Sequence, residues 1–271
     1  MSASRIPCLL TIAGSDSGGG AGIQADLKAF AACGVHGTSA ITAITAQNTL
    51  GVTAVYQIPP EVIVAQVTAV QSDIGVDAVK IGMLGDVATI DAVAAALDEL
   101  GPQTPVVLDP VMVAESGAEL LEPAARSRLI ERLLPRATVA TPNVPEARTL
   151  VQTVGRAPRN EADLEALARA VRSLGPAAVV VTGGHREEAT DVFFDGAQVV
   201  ELPGERHSSG AAHGSGCTHS SVLAARLALG DTPLRAAAAA KEAASRAVRD
   251  GLASVGHGPG PVDVLGLAAR P

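Results

Sequence analysis

The sequence predicts an α/β fold in which helices cover both faces of a mostly parallel sheet. Short β-branched segments alternate with longer Ala-rich segments along most of the 271 residues, which is typical of βαβ units. Hydrophobic residues make up 47% of the chain but aromatic residues only 1%, so Ala, Val, Leu and Ile must fill the core. Near the C-terminal third, Asp195-Gly196 separates two short apolar runs and predicts an antiparallel hairpin.

The predicted elements follow this alternation along the chain. Strands are expected at residues 9–13, 38–45, 78–81, 106–109, 139–141 and 178–182. Helices are expected between and after them, at residues 22–33, 60–72, 87–100, 124–134, 145–154 and 161–174. The hairpin and two terminal helices complete the set, at residues 192–194, 198–202, 217–228 and 233–251. Because the sequence contains no repeat and no linker-like stretch, we expect a single domain over residues 1–271.

Charge and composition exclude several classes of function. A net charge of −8 and the shortage of aromatic rings do not fit a nucleic-acid binder. The sequence has neither a leader pattern nor an uncharged apolar run of about 18 residues, so we expect no export signal and no membrane span. The three cysteines, Cys8, Cys33 and Cys217, are too widely spaced for a disulfide framework or a zinc site, and they favour a reducing cytoplasm.

The most informative segment is His213-Gly-Ser-Gly-Cys-Thr218, which leads into an apolar helical stretch. Small residues before a helix let several backbone N–H groups converge, and the helix N-terminus adds partial positive charge, so the turn predicts an anion site. A thiol at this position is expected to be biased toward thiolate. On this segment alone, a glycine turn followed by a structural cysteine remains an open alternative.

Polar residues also follow several of the predicted strands. A glycine-rich segment, residues 13–22, follows the first strand, Asp109 ends another, and Asn143 and Glu146 follow a third. Ligands of parallel sheets bind outside the carboxyl ends of the strands. Asn143 and Glu146 also fit a plain helix cap, and this alternative stays open locally. Carboxylates that hold Mg²⁺ and an N–H cup for a phosphoryl group are together the parts of a nucleotide phosphotransferase.

In this order and spacing, the segments resemble the ribokinase-like small-molecule kinases. The resemblance is closest to the hydroxymethylpyrimidine/phosphomethylpyrimidine kinases of thiamine biosynthesis, and it rests on residues 11–28, 42–49, 80–84, 109–113, 141–146, 183–185 and 214–218. It implies a ribokinase-like three-layer α/β/α fold. It also implies phosphorylation of 4-amino-5-hydroxymethyl-2-methylpyrimidine and of its monophosphate, with ATP and Mg²⁺, by a homodimer.

The resemblance further implies a role for individual residues. Cys217 would be the base for the substrate hydroxyl, beside a cup of backbone amides from Gly214, Ser215 and Gly216. The residues implied to bind the pyrimidine are Gly14, Asp26, Gln47, Met83 and Val111. Asp109 and Glu146 would organise Mg²⁺. The residues implied to lie near the nucleotide are Asn143, Thr182, Gly183 and Lys241.

The chain departs from these relatives at four positions. Thr182 stands where they often have Lys, Ala212 where Thr is frequent, His219 where an apolar residue is frequent, and Glu115 where Lys or a small residue is frequent. We expect these changes to affect phosphate affinity and loop behaviour more than the type of reaction. Two rival functions remain: a pyridoxal/pyridoxine kinase of the same fold, and a non-catalytic ligand-binding protein on a kinase scaffold.

Overall fold

Nine strands form one sheet in the computed structural model, which describes residues 5–114, 117–160, 163–184, 189–207 and 211–269. Glu115 and His185, which belong to segments discussed above, lie outside these ranges. The strands are β1 (Cys8–Asp16), β2 (His36–Asn48), β3 (Gly51–Gln57), β4 (Ala78–Ile81), β5 (Val106–Leu108), β6 (Val139–Ala140), β7 (Ala178–Val181), β8 (Asp191–Phe194) and β9 (Val199–Leu202).

Helices connect most of these strands. They are α1 (Gly22–Ala32), α2 (Pro60–Asp73), α3 (Val87–Asp98), α4 (Pro123–Arg132), α5 (Val144–Thr153), α6 (Leu164–Arg172), α7 (Ser215–Ala228) and α8 (Pro233–Arg249). Within the described ranges, no helix has the length and apolar character needed to cross a membrane.

The strand order is β3-β2-β1-β4-β5-β6-β7-β8-β9. The six strands from β2 to β7 in this order pair in parallel, whereas β3, β8 and β9 pair antiparallel with their neighbours. The carboxyl ends of the parallel strands therefore lie along one edge of the sheet. The loops that leave this edge contain most of the residues predicted to be functional.

Two apolar cores lie on opposite faces of the sheet. Leu10 and Ile12 pack on one face with residues of α2 to α6, whereas the adjacent Leu9 packs on the other face with residues of α1, α7 and α8. This alternation is the two-residue period of a strand buried on both sides. The predicted three-layer arrangement, with its C-terminal hairpin, is confirmed.

The chief omission of the sequence prediction is β3, which pairs antiparallel with an extended β2. Most side chains of β3 are exposed, including Val55 and Tyr56. An edge strand with little buried surface has no alternation of apolar and polar residues, so periodicity gives no signal for it. The predicted start of α6 is also early, because Asp163 accepts hydrogen bonds from the N–H groups of Glu165 and Ala166 and caps the helix there.

Candidate active site

Asp16 at the end of β1 organises the glycine-rich loop. Its carboxylate accepts hydrogen bonds from the backbone N–H groups of Gly18, Gly20 and Ala21 at 2.7–3.0 Å. Nε2 of His213 lies 3.3 Å from the carboxylate oxygen that accepts from Gly20 and Ala21. Burial opposes ionisation, but the hydrogen bonds from His213 and from the loop amides prevail and lower the pKa of Asp16. A single carboxylate therefore ties the loop to the segment before α7.

The glycine-rich loop and the start of α7 are in direct backbone contact. Gly214 has φ +83°, and a Cβ at this residue would overlap the carbonyl oxygen of Gly20. Gly22 also has positive φ, and a Cβ there would overlap the carbonyl oxygen of Gly14. Only glycine combines this conformation with such close approach. The two glycine-rich segments seen in the sequence thus form one structural unit.

The first turn of α7 presents unpaired backbone donors. The first hydrogen bond of this helix runs from Thr218 N–H to the carbonyl of Gly214, so the N–H groups of Gly216 and Cys217 precede the intrahelical ladder. The N–H of Ser215 instead donates to the carbonyl of Ala212 at 3.0 Å. The predicted anion cup therefore contains two available amides from this turn, and Ser215 would join it only by exchanging its partner.

The expected bias of Cys217 toward thiolate is wrong for the free protein. Burial raises the pKa of the Cys217 thiol to about 12, and the Asp26 and Asp109 carboxylates add to this increase. The Lys80 charge and a hydrogen bond from the Gly22 N–H act in the opposite direction without compensating for burial. Desolvation of a charged sulfur therefore outweighs the Lys80 charge and the Gly22 hydrogen bond.

A buried ion pair lies close to Cys217. The Lys80 ammonium is 2.9 Å from the Asp26 carboxylate, and both side chains are fully buried. Asp26 also accepts hydrogen bonds from the hydroxyl groups of Thr11 at 2.6 Å and Ser221 at 2.7 Å. Burial opposes the charge on Lys80, but Asp26, Cys217 and Asp109 together raise its pKa. Because protein donors occupy both Asp26 oxygens, its contact with substrate stays a prediction that requires an exchange of partners.

Two buried carboxylates, Asp109 and Glu146, form the predicted metal pair. Burial and the charge of Asp109 raise the pKa of Glu146 to about 8. Burial also raises the pKa of Asp109, while Lys80 and a 3.0 Å hydrogen bond from Ser220 lower it. Glu146 and Asn143 form a capping box at the start of α5, so the capping alternative is confirmed for both residues.

This donor set fits Mg²⁺. Burial and mutual repulsion make it costly to ionise two neighbouring carboxylates. A divalent cation bound between them would stabilise their ionised forms. Among the residues that the structure describes, no group of three or more His, Cys, Asp or Glu side chains is arranged to hold a metal. Mg²⁺ commonly uses one or two carboxylates and takes its other ligands from water and phosphate, so two are sufficient.

The predicted nucleotide residues lie at the ends of β6 and β7 and on α8. Asn143 and Thr182 face each other in a parallel bridge between the two strand ends. The Gly183 N–H donates to the Asp191 carboxylate at 2.9 Å, and the Lys241 ammonium binds the same oxygen at 2.7 Å. Lys241 also lines a cavity of about 470 Å³ between α8 and the segment after β9. The structure thus brings Gly183 and Lys241 together through a residue that the sequence analysis did not single out.

The predicted pyrimidine residues lie around the ends of β1, β2 and β4. The Gln47 carboxamide oxygen accepts a hydrogen bond from Thr45 at 3.0 Å, and Gln47 lines a small cavity together with His213. Met83 is buried against Gly14, where any added Cβ would press on its sulfur atom. Val111, one residue before the buried Met112, is partly exposed. The region predicted to bind the pyrimidine therefore has an apolar floor, and the Gln47 carboxamide lies at its rim in a fixed orientation.

Comparison with known proteins identifies the family of this chain. The family model described as phosphomethylpyrimidine kinase matches residues 16–263. The chain belongs to this family. A hydroxymethylpyrimidine/phosphomethylpyrimidine kinase of Rhizobium meliloti (strain 1021) is 52% identical over 258 residues, which cover 93% of this chain and 95% of the relative.

Solved structures extend the likeness to a second group of kinases. A phosphomethylpyrimidine kinase of Clostridium difficile 630 superposes with a TM-score of 0.75 at 40% identity and covers 88% of this chain and 97% of its own. A pyridoxal kinase of Staphylococcus aureus, solved with AMP-PCP and pyridoxal, has a TM-score of 0.86 at 32% identity, with coverages of 96% and 94%. Sequence similarity is higher to the first kinase and backbone similarity to the second.

Four residues of the site were not predicted to be functional from the sequence. They are Lys80, Asp191, Ser220 and Ser221. Lys80 offered a signal, since a lysine within the apolar strand residues 78–81 must have a buried partner. Asp191 and the two serines offered none, because their contacts with Lys241, Asp109 and Asp26 join residues that are 50 or more positions apart in the sequence.

Proposed function

We propose that this chain transfers the γ-phosphoryl group of ATP to the hydroxymethyl oxygen of 4-amino-5-hydroxymethyl-2-methylpyrimidine, and then phosphorylates the monophosphate to the diphosphate, in thiamine biosynthesis. One observation is central to the proposal. The free amides at the start of α7 lie next to a cysteine that is electrostatically coupled to Lys80 and Asp109. Such an arrangement combines an anion cup, a proton-transfer group and a carboxylate for the metal.

In this proposal Cys217 orients the attacking hydroxyl and receives its proton late in the reaction. Phosphoryl transfer passes through a loose transition state, so little proton removal is needed before the phosphorus–oxygen bond forms. The acceptor is the ionised fraction of the thiol, which the Lys80 charge and the Gly22 N–H both increase. The N–H groups of Gly216 and Cys217 would donate to the oxygens of the transferring group.

Asp109 and Glu146 would hold Mg²⁺, which supplies neutralisation of the phosphate charge when it is bound. Asn143, Thr182 and Gly183 would lie along the polyphosphate. Lys241 would lie near the phosphates, and the rest of the cavity of about 470 Å³ that it lines would receive the nucleotide base, since its walls include Leu202, Pro203 and Ala238. Ser245 and His207, which are hydrogen-bonded to each other at 3.0 Å, add polar atoms to the lining of this cavity.

The substrate assignment depends mainly on Gln47. Thr45 holds the carboxamide oxygen, which leaves the NH₂ group as a donor toward a ring nitrogen of the pyrimidine. Gly14, Met83 and Val111 would contact the apolar faces and the methyl group. A second candidate function, phosphorylation of pyridoxal, is favoured by the backbone similarity to a kinase solved with that compound.

Parallel kinetics on the two alcohols test the assignment. We expect kcat/KM for the aminopyrimidine to exceed that for pyridoxal by at least about tenfold, which corresponds to one specific hydrogen bond. Gln47→Ala should reduce the pyrimidine value and leave the pyridoxal value nearly unchanged. A higher kcat/KM for pyridoxal would replace the function, and ligand binding without turnover would identify a non-catalytic protein. A separate assay on the monophosphate tests the second step.

We also propose that residues 1–271 form a single domain that acts as a cytoplasmic homodimer. The single nine-stranded sheet supports one domain. Three free cysteines support a reducing compartment. The exposed apolar side chains Val55 and Tyr56 on the edge strand β3 support a dimer, because such edges are commonly covered.

A further inference from the structure

Asp191 at the start of β8 is a buried carboxylate that faces donors from three elements. It is 2% exposed. One oxygen accepts from the Gly183 N–H at 2.9 Å and from the Lys241 ammonium at 2.7 Å. Its other oxygen lies 3.7 Å from Nε2 of His219 on α7. A loop after β7, helix α8 and helix α7 therefore meet at a single negative charge.

His219 is the unsatisfied member of this group. The residue is 4% exposed, and neither ring nitrogen has a hydrogen-bond partner among the described residues. The 3.7 Å separation from Asp191 exceeds hydrogen-bond distance. A leucine would fill this position at lower cost, because a buried polar ring without partners is destabilising. The hydrogen bonds of the described structure therefore do not account for the burial of this ring.

The groups around His219 act on its protonation in opposite directions. Burial lowers the pKa of His219; Asp191 on β8 acts to raise it and Lys241 on α8 acts to lower it. In the free protein, burial and the Lys241 ammonium both disfavour protonation of the imidazole, while Lys241 neutralises Asp191. Removing the ammonium would leave Asp191 buried without a counter-ion, and a protonated imidazole in the same place would restore neutrality.

We propose that protonated His219 replaces Lys241 as the counter-ion of Asp191 when nucleotide binds. Nucleotide binding is then coupled to the uptake of one proton. The inference rests on the proposed function, in which Lys241 lies beside the nucleotide. Bound phosphates draw the Lys241 ammonium away from Asp191. His219 then takes one proton from solvent, and its Nε2–H donates to the free carboxylate oxygen. No covalent bond changes except this N–H, and Asp191 keeps the Gly183 loop in place throughout.

Isothermal titration calorimetry with AMP-PCP and Mg²⁺ tests this coupling, in two buffers of different ionisation enthalpy at about pH 7. The dependence of the apparent enthalpy on the buffer measures the protons taken up on binding. We expect wild type to take up as much as about one proton more than His219→Leu. Asp191→Asn should also lose this uptake, because it removes the acceptor. His36→Gln, at the opposite edge of the sheet, should retain it.

Each outcome bears on one of the two proposals. Equal proton uptake by wild type and His219→Leu, with nucleotide bound by both, would overturn the role of His219 and leave the kinase assignment intact. Absence of nucleotide binding by wild type would overturn the kinase assignment and the coupling together. Uptake lost in Asp191→Asn but kept in both His219→Leu and His219→Gln would assign the proton to another group and refute the proposal.

Discussion

Opposing electrostatic effects act on the ionisation of the Cys217 thiol. The start of α7 and the Lys80 ammonium favour a negative charge on sulfur, while burial and two nearby carboxylates disfavour it. Local sequence predicted only the first effect, because the glycine turn and the helix are adjacent in the chain. The second effect depends on burial and on Asp26 and Asp109, which lie more than 100 residues away and come near the thiol only in the folded protein.

A pH profile separates the two roles of this thiol. Because the pKa of Cys217 is about 12, its thiolate fraction increases about tenfold per pH unit through neutral pH. We expect kcat/KM to rise between pH 7 and about pH 9 in wild type. Cys217→Ala should lower kcat by about 10²–10⁴-fold and flatten this rise, as measured by steady-state kinetics. A flat wild-type profile together with a large loss in Cys217→Ala would leave the thiol an orienting role only.

The metal pair shows how far strand ends can be read from a sequence. Asp109 and Glu146 were located from their positions after predicted strands, and the structure places both at the expected edge of the sheet. The increase in the pKa of Glu146 to about 8 could not be predicted, because it arises from burial and from Asp109. The sequence pattern thus identifies which residues form the site, whereas their packing in the fold determines the pKa values of the side chains.

The raised pKa of Glu146 predicts how stability depends on pH. A carboxyl whose folded pKa of about 8 lies above its unfolded value of about 4.5 binds its proton more tightly in the folded state. Its contribution is complete below about pH 4.5 and is lost as the pH rises through about 8. In EDTA, Glu146→Gln should therefore raise Tm by several degrees at pH 8.5 relative to wild type, and by less at pH 5. Thermal melts across pH measure this.

Glu61→Gln is the control for this experiment, because Glu61 is an exposed carboxylate in the first turn of α2. It should leave the pH dependence of Tm unchanged. Equal stability of Glu146→Gln and wild type at pH 8.5 would show that the folded protein accommodates the Glu146 charge without cost.

Among the elements, the contact between the glycine-rich loop and the start of α7 is the most restrictive. The sequence predicted both segments but not their contact, because two turns separated by about 190 residues have no shared periodicity. Gly214 has φ +83° and no room for a Cβ beside Gly20. The loop and the helix can therefore approach only with glycine at this position.

Substitution at Gly214 tests this contact directly. Gly214→Ala adds both an unfavourable backbone conformation and a clash with a carbonyl oxygen, so it should destabilise the fold by about 1–3 kcal/mol and lower Tm by several degrees. Gly216→Ala is the matched control, since a Cβ there meets no atom within 4 Å. Calorimetry should show little change in Tm for this control. Equal melting of the two variants would mean that the loop moves aside without cost.

For the whole molecule, the exposed edge of the sheet predicts association. Tyr56 on β3 is 66% exposed and is paired across the hairpin with Ile44, which is 48% exposed. In the proposed homodimer, Tyr56→Asp should shift the protein toward monomer, because it places a charge in an apolar contact. Light scattering after size-exclusion chromatography measures the mass. Leu267→Asp, at another exposed apolar position, should stay dimeric.

The residues of the site are far apart in the sequence, so the ribosome makes them at different times. Asp26 and Lys80 are synthesised early, but Ser221, which shares the carboxylate of Asp26, emerges from the ribosome much later. Until α7 is added, the nascent sheet has a charged pair in its interior without its final cover, and the anion cup does not exist. If the proposed function holds, a growing chain would therefore be unable to bind nucleotide at this site before its last quarter is made.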